Sequence, residues 1–166
     1  MSFSFISDCS FHELTDITPE FLAGRGVTLL LIDLDNTIAP YGRYEPTSET
    51  VKWAERMRRA GITLFIVSNS HSVGRTAGFA AALGIPFINR AKKPSPRGIR
   101  EAMSRCGKMP EETALAGDQS YTDVLAANLA GALSLLVHPL SLRNPLLAIR
   151  YVLELPWRLS CKEKVK

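Results

Sequence analysis

Four groups of polar residues in this chain of 166 residues have the types and order to act together on one substrate. They are Asp33-Leu34-Asp35-Asn36-Thr37, Ser68-Asn69-Ser70, Lys92-Lys93-Pro94 and the run from Asp118 to Asp123, each downstream of a short apolar stretch. Carboxylates, hydroxyls and a lysine suit phosphoryl transfer. A carboxylate attacks a phosphate dianion poorly because both are negative, so attack needs positive charge on the phosphoryl oxygens. A lysine and a Mg2+ ion supply it, and Mg2+ is commonly held by one or two carboxylates with substrate phosphate and water, a role that fits Asp33 and Asp118. Asp33 can then attack phosphorus and form an aspartyl phosphate, dividing hydrolysis into two easier displacements. Strand alternation points Asp35 away from Asp33 unless the chain turns there. With such a turn, Asp35 protonates the leaving oxygen and later takes a proton from the attacking water. Ser68 and the backbone N–H groups around Asn69 can donate to phosphoryl oxygens.

These residues need a scaffold that brings four loops to one edge. Apolar runs at 27–32, 62–67, 86–88, 113–117 and 132–137 read as buried parallel strands. Between them, 48–60 carries Val51, Ala54 and Met57 at helical spacing before Gly61, and 73–83 ends at Gly84. A third helix opens with Ser95 as cap and Pro96 in its first turn, and a fourth spans 122–130 before Gly131. Alternation of this kind predicts an α/β fold, a three-layer, doubly wound parallel sheet with right-handed crossovers. Ligands bind such sheets outside the carboxyl ends of the strands, which is where all four groups fall.

DLDNT at 33–37, SNS at 68–70, KKP at 92–94 and GDQ-x-x-TD at 117–123 resemble, in order, the four motifs of the haloacid dehalogenase (HAD) superfamily. Across residues 17–139 the chain is similar, more narrowly, to the YqeG family of small bacterial subfamily IIIA phosphatases, relatives of mitochondrial phosphatidylglycerophosphate phosphatases. The resemblance implies a Rossmann-like HAD fold, with Asp33 as nucleophile and metal ligand. It puts the Asp35 carbonyl on Mg2+ and the Asp35 carboxylate in acid/base work, and makes Asp118 the second acidic ligand. Ser68 and Asn69 would bind phosphate with Lys93, preferred over Lys92 because it directly precedes proline. Thr37 and Asp123 would support this set from behind, Asp123 ordering Lys93 or a metal-bound water. An acid at 35 favours phosphatase over dehalogenase chemistry. The stretches from Asp35 to Ser68 and from Ser68 to Lys93 each hold one helix and one strand, leaving no room for a cap domain, so the expected site is open.

Composition is compatible with one ordinary globular domain over 1–166: 46% hydrophobic, 22% charged, mean hydropathy +0.03. Disorder, collagen and coiled coil are excluded. A net charge of +4 leans toward anionic partners, and Cys9, Cys106 and Cys161 form neither a disulfide framework nor a metal pair, which fits a reducing, cytoplasmic setting. His71 reads as an exposed loop histidine, and Asp123 serves equally well as the cap of the fourth helix. Residues 143–166 form a separate feature, an apolar helix from Asn144-Pro145 that stops at Pro156, followed by a basic tail. That helix either docks on the sheet or a partner, or lies on an anionic membrane at its inner face. The expected activity is a Mg2+-dependent phosphomonoester phosphatase acting on phosphatidylglycerophosphate. The rivals are a phosphatase for a soluble or nucleic-acid phosphate and a non-catalytic module associated with RNA or ribosomes, with nucleic acid the less favoured partner.

Overall fold

A computed structural model describes residues 3–165. Its frame is a sheet of seven parallel strands. Five are the apolar runs: β2 (Leu29–Ile32), β3 (Thr63–Val67), β4 (Phe87–Ile88), β5 (Thr113–Gly117) and β6 (Leu133–Val137). All four side chains of β2 are buried, as a central strand covered on both faces requires. Alternation divides them. Leu30 and Ile32 join Leu64, Ile66, Trp53, Met57 and Phe79 in one core, while Leu29 and Leu31 join Phe65, Val67, Ile99, Met103 and Ala126 in the other.

The helices complete the three layers. α2 (Ser48–Arg59) and α3 (Val73–Leu83) cover the first face, and α4 (Arg97–Cys106) and α5 (Leu125–Ala130) the second. Helix α2 starts where the Thr47 hydroxyl accepts the Thr50 N–H at 3.1 Å, and its Trp53 indole donates to the Ile17 carbonyl at 2.8 Å, tying in the short helix α1 (Pro19–Ala23). From β2 the chain crosses to β3 on one side, and from β5 to β6 on the other. The crevice where these directions diverge lies between the carboxyl ends of β2 and β5.

Beyond shifts of one or two residues at strand ends, the structure departs from the sequence expectation in four places. Two short strands, β1 (Cys9–Phe11) and β7 (Glu163–Lys164), extend the sheet beyond β6 and complete the order β4-β3-β2-β5-β6-β1-β7. They are too short to leave a periodic signal, and β7 is an exposed pair of charged residues held by backbone pairing to β1. Helix α4 begins at Arg97, with Pro96 at its cap and the Ser95 hydroxyl on the Arg97 N–H at 3.4 Å. The segment before α5 is a π-helical turn, Ser120–Val124, so Asp123 lies within a turn and is not a cap. Finally, α6 (Pro145–Leu159) runs through Pro156 and does not stop there. Pro156 removes the N–H that would pair with the Val152 carbonyl, but both residues are exposed, so water can take that carbonyl.

Candidate active site

Asp33 follows β2 directly, and its N–H continues the ladder to the Ala116 carbonyl of β5 at 2.9 Å. Beyond it the chain turns. Ile38 and Ala39 both donate to the Leu34 carbonyl, at 3.1 and 3.2 Å, and Asn36 adopts φ 62° with its N–H on the Ala39 carbonyl at 2.8 Å. This turn puts Asp33 and Asp35 on the wall of one cavity of about 450 Å3, with Tyr41, Tyr44, Ser70, Lys93, Asp123 and Arg150 around it. In the stretches from Asp35 to Ser68 and from Ser68 to Lys93 no separate domain is inserted.

Lys93 is the electrostatic centre. Its ammonium lies 2.6 Å from Asp33 Oδ1 and 2.6 Å from Asp123 Oδ1, with its side chain 1% exposed. Burial alone would favour the neutral amine, but the charges of Asp123 and Asp33 outweigh it and hold the ammonium above the ordinary lysine range. Lys92 is exposed and points elsewhere from a backbone at φ 58°. Asn69 places the lysine loop: its side-chain amide donates to the Lys93 carbonyl at 2.9 Å and its oxygen accepts the Lys93 N–H at 2.8 Å. Ser68 is fully buried, its hydroxyl accepting the Ser70 N–H at 3.0 Å, so Asn69 and Ser70 reach the cavity wall while Ser68 lies behind them. Thr37 donates to Asp33 Oδ2 at a long 3.5 Å.

Carboxylate oxygens of Asp33, Asp118 and Asp123 all lie within 4.8 Å of one another. Burial pushes Asp33 up to about 7, with Asp123 and Asp35 adding repulsion against the pull of Lys93. Burial and the charges of Asp123 and Asp33 likewise raise Asp118 well above the carboxylate range. Asp118 Oδ1 is buried without a hydrogen-bond partner. Three acids against one ammonium, with an oxygen still to be satisfied, fit a hard divalent cation with oxygen ligands such as Mg2+. The Asp35 carboxylate stands outside this cluster, paired with Arg75.

Sequence reasoning misses several contributors. Arg75 of α3 is one; Glu154 and Arg158 of α6 are two more. The Glu154 carboxylate accepts the Ser120 N–H at 3.0 Å and the Tyr121 N–H at 3.5 Å, and Arg158 donates to the Asp118 carbonyl and, at 3.3 Å, to Glu154. Thus α6 docks through its polar side, with Glu154 and Arg158 inward, and supports the loop that carries Asp118. For α6 the available clue is a charged pair spaced i, i+4 in a helix that, Arg150 apart, is otherwise apolar or aromatic. His71 is exposed, as expected, and also lines the cavity.

A model of haloacid dehalogenase-like hydrolases matches residues 10–131. The chain belongs to that family. It is 36% identical over 137 residues to the probable phosphatase YqeG of Bacillus subtilis (strain 168), covering 82% of this chain and 79% of that protein. It is 26% identical over 152 residues to the chloroplastic/mitochondrial phosphatidylglycerophosphate phosphatase 1 of Arabidopsis thaliana, covering 86% of this chain but 43% of that longer protein. Among solved structures, the cobalt-bound deoxy-D-mannose-octulosonate 8-phosphate phosphatase of Haemophilus influenzae superposes with a TM-score of 0.61 at 18% identity, over 86% of this chain and 79% of that one. That likeness is one of fold. Membership of this family, with its phosphatase relatives, makes the chain a phosphoric monoester hydrolase. Helix α6 lies beyond the residues that the family model matches.

Proposed function

We propose that the chain is a Mg2+-dependent phosphatase that works through an aspartyl phosphate on Asp33. The observation that carries this is Lys93 seated between Asp33 and Asp123 in a buried carboxylate cluster that opens onto the cavity. Asp33, Asp118 and the Asp35 carbonyl would hold the ion, with Asp123 close enough to contribute; when bound, it adds positive charge beside the phosphoryl oxygens. An Asp33 oxygen attacks phosphorus as the bond from phosphorus to the leaving oxygen breaks. Asp35 gives that oxygen its proton, then accepts one from the water that attacks the phosphorylated Asp33 and releases inorganic phosphate. Lys93 neutralises the nucleophile's neighbourhood, and Asn69 keeps Lys93 in place.

The favoured substrate is phosphatidylglycerophosphate. The similarity to a phosphatase named for that lipid supports it, as does a site with no cap to enclose a small metabolite. The outward face of α6 adds a third point: Leu146, Ile149, Val152, Leu153 and Leu159 are 59–75% exposed on a helix whose charged pair faces inward. Arg150 of the same helix lines the cavity, so a bilayer against that face would lie beside the site. No helix among the described residues is long and apolar enough to cross a membrane.

The test is phosphate release from phosphatidylglycerophosphate vesicles and from p-nitrophenyl phosphate, with and without Mg2+, in the wild type and Asp33→Asn. Metal-dependent release that Asp33→Asn abolishes is expected, with preference for the lipid. Release from the aryl ester alone would shift the substrate to a soluble or nucleic-acid phosphate. Folded protein releasing phosphate from neither would favour a binding module.

A further inference from the structure

Arg75 is placed where local forces disfavour it. It stands in the first turn of α3, at the positive end of the helix dipole, and it is 7% exposed, so its charge is both dipole-opposed and desolvated. What holds it is tertiary. Nη1 donates to Asp35 Oδ1, Nε to the Arg43 carbonyl at 2.7 Å and Nη2 to the Pro40 carbonyl at 3.2 Å. The Phe79 ring lies 5.4 Å from the guanidinium carbon. A guanidinium is a rigid planar fork, so three acceptors bound to one fork are fixed relative to each other. Asp35 is thereby joined to the 40–43 turn, which carries Tyr41 to the cavity wall. Arg75 engages Oδ1 and leaves Oδ2 of Asp35 to exchange a proton.

We infer that Arg75 is the positioning residue of proton transfer: it locks the Asp35 carboxylate against the leaving-group side of the cavity and ties it to the 40–43 turn. This rests on Asp35 being the acid/base of the proposed phosphatase. An acid free to rotate about its side-chain torsions would reach the leaving oxygen in only a fraction of encounters, and misplacement of a catalytic group is costly.

The experiment exploits the leaving group. A nitrophenolate departs without a proton, whereas an alkoxide needs one. First-turnover release of the leaving group, read by rapid mixing with Mg2+, is compared for p-nitrophenyl phosphate and phosphatidylglycerophosphate in the wild type, Arg75→Met, Arg75→Lys and Asp35→Asn. Expected is a loss of about 30-fold or more on the alkyl ester in Arg75→Met, a large part of the roughly 100- to 10,000-fold that general acid catalysis supplies, against a change of under about 3-fold on the aryl ester. Arg75→Lys, which can still reach one acceptor, should recover part of the alkyl rate. The alkyl-to-aryl ratio does not depend on the fraction of protein folded. Equal losses on both esters, or none on either, would overturn the assignment of Arg75. An Asp35→Asn variant without the alkyl-selective loss, or a wild type without Mg2+-dependent release, would overturn the underlying reading instead.

Discussion

At the scale of single residues, the site depends on how closely the backbone of β5 approaches its own carboxylates. Gly117 ends β5, and a Cβ built there would lie 2.3 Å from the Asp123 side-chain carbon Cγ and 2.4 Å from Oδ2. Backbone freedom is not the reason for this glycine; space is. Gly117→Ala should therefore push Asp123 off Lys93, lowering phosphate release by at least about 10-fold, in line with the cost of misplacing charge in a preorganised site. The check is the rate beside the thermal midpoint. A variant that melts like the wild type yet turns over normally would show that Asp123 has somewhere to go. Sequence alone leaves Asp123 with two roles, ordering Lys93 or capping the next helix, and the structure shows the first. The distance of Asp123 from Lys93 along the chain says nothing about their contact, and capping the next helix was as good an explanation of an acid at that position.

At the scale of elements, α6 is unusual in turning its charges inward. Glu154 and Arg158 are 1% and 7% exposed in their side chains and hold the backbone at Asp118, Ser120 and Tyr121, while the opposite face is apolar and exposed. Breaking a buried pair by removing one partner costs roughly 3–5 kcal/mol, because the remaining charge stays desolvated. Arg158→Met should thus lower the thermal midpoint and also raise the Mg2+ concentration needed for half-maximal activity, since the loop bearing Asp118 loses its donor. A lowered midpoint with an unchanged Mg2+ requirement would confine α6 to a structural role.

At the scale of the whole molecule, one edge of the sheet carries the chemistry and one helix beside it presents an apolar face. Basic residues adjoin α6 in the chain: Arg143 precedes it, and Lys162, which pairs with Asp8, and Lys164 of β7 follow it. Under the proposed function that face would meet an anionic bilayer, which basic residues near an apolar helix would complement. The protein should co-sediment with vesicles containing anionic lipid more than with neutral ones, and Ile149→Glu with Leu153→Glu should abolish the difference while leaving release from p-nitrophenyl phosphate intact. Equal binding to both kinds of vesicle, or to neither, would remove the membrane from the account.

Read alone, the sequence determined five of the seven strands, β2 to β6, the helices between them and the loops that carry Asp33, Asp35, Lys93 and Asp118. It could do so because parallel strands buried on both faces are continuous apolar runs, and because ligands gather at the carboxyl ends of such strands. The resemblance already favours Lys93 and brings Asp123 to it; tertiary structure alone decided that Arg75 holds Asp35 and that α6 turns Glu154 and Arg158 inward. Lys92 and Lys93 are chemically identical neighbours, and only the backbone path of their loop separates a solvated ammonium from a buried one. Strands β1 and β7 and the contacts of Arg75, Glu154 and Arg158 join residues far apart in the chain, and a periodic pattern records which face a residue occupies but not what lies across from it.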